Sequence, residues 1–245
     1  MSTWVVGDIH GCADELRALV ERLDLGPQDR LVSCGDLFHR GPDPAGVMDV
    51  LQECGASFVL GNHEREVLRR ARLAPGTADG SDRPAFRRDF PPLEHTDLAG
   101  DGGMPCIVPA DRRADVLRFL QGHSGYFLAS AQHERAGPTP DGREWCVVHA
   151  GVDPTLELAR TPVECLVRVR RLRGRGRPYW YEVYRGPRLV LFGHTPGRVP
   201  RAHVVGGRLV ALGLDTGCVY GGSLTAYSPE RDEVVSVRAA RAYAA

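Results

Sequence analysis

The chain has 245 residues, of which 42% are hydrophobic, so it is long and apolar enough to bury a substantial core as one α/β domain. Its 31 basic residues balance its 31 acidic residues, which excludes the strongly basic composition typical of proteins that bind nucleic acid or anionic membranes. We therefore expect no stable nucleic-acid partner and no membrane partner.

The N-terminus lacks the pattern of an export signal, and no apolar run approaches the length of a membrane span. The seven cysteines are odd in number and are not spaced as in a disulfide-bonded scaffold, which fits a reducing compartment. The sequence thus predicts a cytoplasmic protein whose cysteines are small hydrophobic residues rather than reactive groups.

Short apolar runs alternate with helical patterns in the first 60 residues. The runs TWVV (3–6), RLVSC (30–34) and SFVL (57–60) are typical of buried strands. Between them, residues 13–23 and 44–54 place apolar side chains on one face and predict helices. The pattern is therefore β-α-β-α-β.

The rest of the chain predicts more strands around one irregular segment. Residues 74–113 are rich in Pro, Gly and Asp, which indicates a lid or substrate-specificity insertion in a single domain spanning 1–245. The runs WCVV (145–148) and RLVLF (188–192) predict two further buried strands. Near the end, turns at 206–207 and 229–232 predict two antiparallel hairpins.

Polar residues follow each of the five predicted buried strands. Such positions converge at the carboxyl ends of the strands in an α/β sheet. Each alone could be a helix cap or a turn residue, but capping does not explain why all five strands end in this way. In chain order these residues are Asp8, His10, Asp36, Asn62, His63, His149 and His194.

The donor types in this set point to metal chemistry. Carboxylate, amide and imidazole donors without a thiolate suit Mn, Fe, Zn or similar divalent ions. Two ions roughly 3.5 to 4 Å apart can activate a water and clamp the oxygens of a displacement at phosphorus. We therefore expect two divalent ions, with Mn preferred and Fe, Zn, Co and Ni as alternatives.

The ordered motifs GD-x-HG, GD-x-x-x-RG, GNHE, VHAG and FGHT, from Gly7 to Thr195, resemble those of the dinuclear metallophosphoesterases, or calcineurin-like superfamily. The resemblance is strongest to the phosphoprotein phosphatase branch. GLDTGCVYGGSLTA, from Gly213, is similar to a signature of bacterial diadenosine tetraphosphatases and polynucleotide-phosphatase domains in that branch. The fold implied is an α/β sandwich of two packed mixed β-sheets flanked by helices, four layers in all.

The resemblance also implies a role for each strand-end residue. Asp8 and His10 would hold the first metal, and Asp36 would bridge to the second. The residues that would complete the second metal site are Asn62, His149 and His194, and Asn62 would also contact the substrate phosphate.

Two further residues would act on the substrate. His63 would protonate the leaving oxygen, and Arg40 would bind the phosphate, to which a guanidinium can donate two hydrogen bonds. The stretch VRVRRLRGRGRP (167–178) offers Arg168 or Arg170 as a second phosphate clamp, although such charge runs are commonly solvated faces.

Two positions leave the interpretation open. Asp215 could orient a ligating histidine or could be a turn residue. His39 stands where protein phosphatases of this branch carry an aspartate beside the catalytic histidine. A neighbouring imidazole does not favour the protonated form of His63 as a carboxylate would. This difference predicts aryl or nucleotide leaving groups rather than phosphoserine.

The function predicted is that of a metal-dependent phosphoesterase, a phosphomonoester or phosphoprotein phosphatase that uses water activated between the two ions. The alternative is a hydrolase that cleaves dinucleoside tetraphosphates symmetrically at a phosphoanhydride bond. A catalytically silent binding protein on the same fold is less favoured because every ligand position is filled. The expected partner is a phosphorylated small molecule, a nucleotide or a phosphoprotein.

Overall fold

The structure, a computed structural model, describes residues 1–70, 108–122, 125–132 and 136–244. Within these ranges the chain forms two five-stranded sheets and several helices. In chain order the elements are β1 (Thr3–Val6), α1 (Ala13–Leu23), β2 (Arg30–Ser33), α2 (Pro44–Glu53), β3 (Ser57–Phe58), α3 (Asn62–Arg70), α4 (Arg113–Gly122), β4 (Phe127–Ala129), β5 (Trp145–Val148), α5 (Val163–Arg168), α6 (Trp180–Val183), β6 (Leu189–Phe192), β7 (Arg201–Val205), β8 (Arg208–Gly213), β9 (Ser223–Ser228) and β10 (Glu233–Arg238).

Both sheets mix parallel and antiparallel strands. The first has the order β10-β9-β1-β2-β3, in which β1, β2 and β3 are parallel. The second has the order β4-β5-β6-β8-β7, in which β5, β6 and β8 are parallel. This arrangement confirms the predicted α/β fold of two packed mixed sheets.

Apolar side chains separate the layers of the sandwich. Between the sheets lie fully buried residues of both, among them Val5, Val32, Trp145 and Leu191. A second cluster joins the outer face of the first sheet to α1, α2 and α4. A third joins the outer face of the second sheet to α5 and α6. The apolar residues fill the space between these layers, and the polar residues that follow the strands lie at the ends of the sheets.

The first two helices form for local reasons that the sequence shows. In α1, Leu16, Leu19 and Leu23 are buried along one face, and the acidic residues of the first turn favour the positive end of the helix dipole. In α2, the side chain of Asp43 accepts a hydrogen bond from the backbone N–H of Gly46, 2.8 Å away, as an N-cap. Both predicted helices are confirmed to within one residue.

The third strand is shorter than the predicted run 57–60. Only Ser57 and Phe58 pair with β2. The backbone N–H of Leu60 donates instead to the carbonyl oxygen of Gly125, at 2.8 Å, so the chain leaves the sheet before α3 begins. The two predicted hairpins are confirmed, and Gly206 and Gly207 both have positive φ (57° and 79°) in the turn between β7 and β8.

Part of the predicted insertion lies outside the described residues, namely positions 74–107 of the segment 74–113. His95, His123 and His133 also lie outside the described residues. His203 is described, and its Nε2 lies 2.8 Å from a guanidinium nitrogen of Arg185, away from the strand ends. Among the described helices, none is both long and apolar enough to cross a membrane.

Candidate metal centre

The polar residues that follow the strands meet at one open cavity of about 310 Å³. They come from the loops after β1, β2 and β6 and from the first turn of α3. His149, from the loop after β5, is fully buried and contacts Asn62 and His194. The loops after β1 and β2 are joined by a hydrogen bond of 2.8 Å from the N–H of His10 to the carbonyl oxygen of Asp36. The cavity is lined by Asp8, His10, Asp36, Arg40, Asn62, His63, Arg170, His194, Pro196, Asp215 and Tyr220.

Asp36 lies at the centre of the candidate ligand set. Its Oδ2 is 3.8 Å from Nε2 of His10, and its Oδ1 is 3.4 Å from Nε2 of His149. Two groups of possible ligand atoms share its carboxylate: one with Asp8 and His10, the other with His149 and His194. In each group the ligand atoms lie within 4.8 Å of one another. The residues therefore fit two cations that share one carboxylate.

Possible ligand atoms lie close together in the second group. Nδ1 of His149 donates to the carbonyl oxygen of Cys34 at 2.9 Å, so Nε2 of a neutral His149 ring carries a lone pair. That atom lies 3.1 Å from Oδ1 of Asn62 and 3.1 Å from Nδ1 of His194. The amide oxygen and the two ring nitrogens are thus close enough together for one cation to bind all three when both rings are neutral.

The first group is held by its neighbours. Both carboxylate oxygens of Asp8 accept the backbone N–H of His194, each at 3.0 Å. Nε2 of His10 lies 3.9 Å from Asp8 and accepts a hydrogen bond from Arg40 at 3.1 Å. The other ring nitrogen of His10 is buried and has no hydrogen-bond partner among the described residues.

Burial sets the charge state of the histidines. It lowers the pKa of His10 to about 3 and that of His194 to about 2, and it also lowers the pKa of His149. These rings are therefore neutral at ordinary pH, which is the form that binds metal ions. Burial alone would raise the pKa of Asp36, but the histidines around it, His149 foremost, hold it below its ordinary value. Burial, and next the charge of Asp215, raises the pKa of Asp8.

Backbone strain accompanies the candidate ligands. His10, Asp36 and His194 have φ values of 49°, 52° and 64°, in the left-handed region that non-glycine residues rarely occupy. Such conformations cost roughly 1–3 kcal/mol each and cluster at functional sites. The folded structure therefore holds these three side chains in place at a cost in stability.

His63 and His39 pack against each other beside the cavity. Their ring centroids are 4.4 Å apart with an interplanar angle of 39°. Nε2 of His63 lies 3.8 Å from Oδ2 of Asp36. Burial, and next the proximity of His63, lowers the pKa of His39 well below its ordinary value, so His39 is a neutral neighbour. Arg40 also lines the cavity, with its guanidinium carbon 6.0 Å from the ring centre of Tyr220.

The two arginines named as phosphate clamps occupy different places. Arg170 lines the cavity, where its Nε and one Nη donate to the carbonyl oxygen of His194, at 3.2 and 2.9 Å. The guanidinium of Arg168 is half exposed, lies 3.5 Å from Glu164, and does not line the cavity.

The sequence interpretation did not single out Glu64, which is fully buried beneath the site. Its carboxylate accepts hydrogen bonds from the backbone N–H groups of Asp36 (2.9 Å), Leu37 (2.8 Å) and Gly61 (3.0 Å). Burial, and next the charge of Asp36, raises the pKa of Glu64 to about 8 against these bonds. Glu64 thus fixes the loop that carries Asp36. Its place directly after His63 in the GNHE motif was the available signal.

Asp215 and Tyr220 complete the cavity wall. The carboxylate of Asp215 accepts the backbone N–H of Gly217 at 3.1 Å, as a turn residue does. Within the described part of the chain, no hydrogen bond joins Asp215 to a histidine ring. Burial raises the pKa of Asp215 to about 6. Tyr220, which sequence reasoning missed, lines the cavity near the Arg40 guanidinium, and no spacing rule in the sequence identifies it.

Comparison with known families agrees with this architecture. The profile of the calcineurin-like phosphoesterase family matches residues 1–198. The chain belongs to this family, and the protein is a metal-dependent phosphohydrolase that acts on a phosphorylated substrate.

Three similar proteins carry related names. The symmetrical bis(5'-nucleosyl)-tetraphosphatase of Chromohalobacter salexigens is 32% identical over 92% of this chain and 94% of its own length. The asymmetrical bis(5'-nucleosyl)-tetraphosphatase PrpE of Bacillus velezensis is 29% identical over 98% of this chain and 93% of its own. A crystal structure of a protein provisionally described as a diadenosine tetraphosphatase superposes with a TM-score of 0.70 at 27% identity, covering 97% of this chain and 93% of that one.

Proposed function

We propose that the protein cleaves a phosphoanhydride bond of a dinucleoside polyphosphate with the help of two divalent ions bound around Asp36. The observation that carries this proposal is the pair of ligand groups that share the Asp36 carboxylate beneath a cavity containing Arg40 and Arg170. The names of the similar proteins support the nucleoside polyphosphate as the substrate class.

The ligand assignment follows the two groups. Asp8, His10 and Asp36 would hold the first ion. The residues around the second ion would be Asp36, Asn62, His149 and His194. Manganese is proposed for both positions because the donors are oxygen and nitrogen without sulfur. When bound, two such ions stabilise the charge that develops on the phosphoryl oxygens.

The protein's own side chains would position the substrate. Arg40 and Arg170 bring positive charge to the cavity, where they would bind phosphate oxygens together with the amide of Asn62. His63, beside Asp36, would protonate the leaving oxygen. A nucleotide phosphate, whose second pKa is about 6, leaves without much protonation, which suits a His63 that has a neutral His39 beside it.

We also infer that residues 1–245 form one domain. The C-terminal strands β9 and β10 return to the first sheet, where β9 pairs with β1, and both sheets contribute residues to the cavity. The residues that line the cavity extend along the chain from Asp8 to Tyr220.

The experiment that tests the function is steady-state hydrolysis by metal-stripped protein to which manganese is restored. Diadenosine tetraphosphate, p-nitrophenyl phosphate and a phosphoserine peptide are compared, and the nucleotide products are separated. We expect the highest kcat/KM for diadenosine tetraphosphate. Two molecules of ADP would indicate symmetrical cleavage, whereas ATP plus AMP would indicate asymmetrical cleavage. A higher kcat/KM for the peptide would contradict the proposed substrate.

A second candidate, phosphomonoester or phosphoprotein hydrolysis, is favoured by one observation. His63 is placed at the cavity beside Asp36, and a proton donor at that point contributes most when an alkoxide leaves. In the same comparison, this candidate would show the phosphoserine peptide as the preferred substrate.

Arg170→Ala should lower kcat/KM by roughly thirtyfold, because the loss of one charge-assisted hydrogen bond to phosphate costs about 2 kcal/mol. Most of the change should lie in KM if the arginine binds the ground state and the transition state equally. Arg173→Ala is the matched control, since Arg173 is an exposed arginine of the same stretch that does not line the cavity. Equal effects of the two substitutions would show that general charge, not a phosphate contact, is responsible.

His39→Asp should raise the ratio of kcat/KM for the phosphoserine peptide to that for p-nitrophenyl phosphate by about tenfold. The added carboxylate favours the protonated form of His63, which an alkoxide leaving group needs more than a phenolate does. Asparagine has nearly the shape of aspartate without its charge, so His39→Asn should leave this ratio of kcat/KM values unchanged. If both variants shift the ratio equally, packing rather than charge sets the leaving-group preference.

A further inference from the structure

A second cluster of metal-ligating side chains lies outside the cavity. Cys12 precedes α1, Glu15 lies in the first turn of α1, and Cys218 lies in the connection from β8 to β9. All three are buried, with exposed fractions of 0%, 4% and 2%. The two sulfur atoms and one carboxylate oxygen of Glu15 lie within 4.8 Å of one another. Three possible ligands from two distant parts of the chain, the start of α1 and the connection from β8 to β9, thus lie close together.

The Glu15 carboxylate is only half satisfied. Its Oε1 accepts the backbone N–H of Ala240 at 3.0 Å and the hydroxyl of Tyr243 at 2.7 Å. Its Oε2 is buried and accepts no hydrogen bond from the described residues. No described basic residue forms an ion pair with Glu15. A buried carboxylate oxygen without a donor or a positive charge is unfavourable, and a cation would remove the penalty.

The two thiols do not satisfy that oxygen. Cys12 donates instead to the carbonyl oxygen of His10, at a sulfur-to-oxygen distance of 3.7 Å. Two sulfur atoms and one carboxylate oxygen are ligands typical of zinc and related thiophilic divalent ions. This donor set differs from that of the candidate metal centre, which contains no sulfur.

We propose that Cys12, Glu15 and Cys218 bind a thiophilic divalent cation, such as zinc, at a structural site separate from the catalytic centre. The cation would join the start of α1 to the connection that carries Asp215 and Tyr220. Through Oε1 of Glu15, the same site would fasten the C-terminal residues Ala240 and Tyr243. Its role would be to hold the wall of the cavity rather than to take part in hydrolysis.

Cadmium titration of the reduced, metal-stripped full chain tests the site, because thiolate-to-cadmium bonds give an ultraviolet charge-transfer band that oxygen and nitrogen ligands do not give. We expect the band to saturate at one equivalent of cadmium. Cys12→Ser and Cys218→Ser should each abolish it at that equivalent. Glu15→Gln should raise the dissociation constant at least about tenfold. Circular dichroism identifies any variant that does not fold, and Glu15→Gln retains both sulfur atoms.

Two controls separate this site from the rest of the molecule. Cys165→Ser removes a half-buried thiol elsewhere and should leave the band intact. Asp36→Asn should abolish hydrolysis yet also leave the band intact, so failure of the catalytic proposal and failure of this one are distinguishable. A reduced chain that gives no band, or a band that persists unchanged in folded Cys12→Ser and Cys218→Ser variants, would overturn the proposal.

Discussion

Asp36→Asn is expected to lower kcat by at least about a thousandfold, equivalent to about 4 kcal/mol of transition-state stabilisation. The carboxylate belongs to both groups of possible ligand atoms, so an amide in its place weakens both sites at once. The substitution also removes the negative charge that faces three histidines across less than 4 Å. Steady-state kinetics with saturating manganese, together with the metal content of the dialysed protein, measures both consequences.

The matched control is Asp14→Asn, which removes the charge of an exposed aspartate in α1 that pairs only with Arg17 among the described residues. Its activity and metal content should equal those of the unmodified chain. If Asp36→Asn keeps kcat within tenfold of the unmodified value, or keeps both equivalents of metal, the shared role of Asp36 is wrong.

Gly193→Ala is expected to lower kcat/KM by about a hundredfold, as misplacement of a catalytic group by about 1 Å can do. A Cβ atom at Gly193 would lie 1.9 Å from Oδ1 of Asp8, and the carboxylate is held there by two bonds from the N–H of His194. Relief of the clash must move Asp8 or the backbone of β6. Overpacking of this kind also lowers the free energy of unfolding by about 1–3 kcal/mol.

The matched control for Gly193→Ala is Gly122→Ala at the end of α4, where an added Cβ atom meets nothing within 4 Å. Thermal unfolding and steady-state kinetics of both variants separate a local clash from a general effect of replacing glycine. A Gly193→Ala protein with unchanged kcat/KM would show that the close approach to Asp8 has no functional consequence.

The sequence predicts strands of both sheets because short apolar runs bounded by polar residues have few other structures. Residues 3–6 and 145–148 form the strands β1 and β5 with the predicted bounds. The third strand could not be bounded in the same way. Its sequence remains apolar to Leu60, but the backbone N–H of Leu60 donates to Gly125 rather than to β2.

The meeting of the strand-end residues at one cavity was predictable, because parallel strands deliver their carboxyl ends to a common edge. The distinction between Arg168 and Arg170 was not. Both occur in one run of six arginines, and only the path of the chain after α5 turns Arg170 towards His194. The left-handed backbone at Asp36 was equally hidden, since the surrounding fold imposes it.

Both sheets contribute residues to the proposed metal ligands. Asp8 and Asp36 follow strands of the first sheet, whereas His149 and His194 follow strands of the second. On the proposed assignment, the second ion therefore acts as a non-covalent cross-link between the halves of the sandwich. Because separation of the sheets would break the coordination, chelation should accelerate unfolding of the whole molecule and leave no half folded alone.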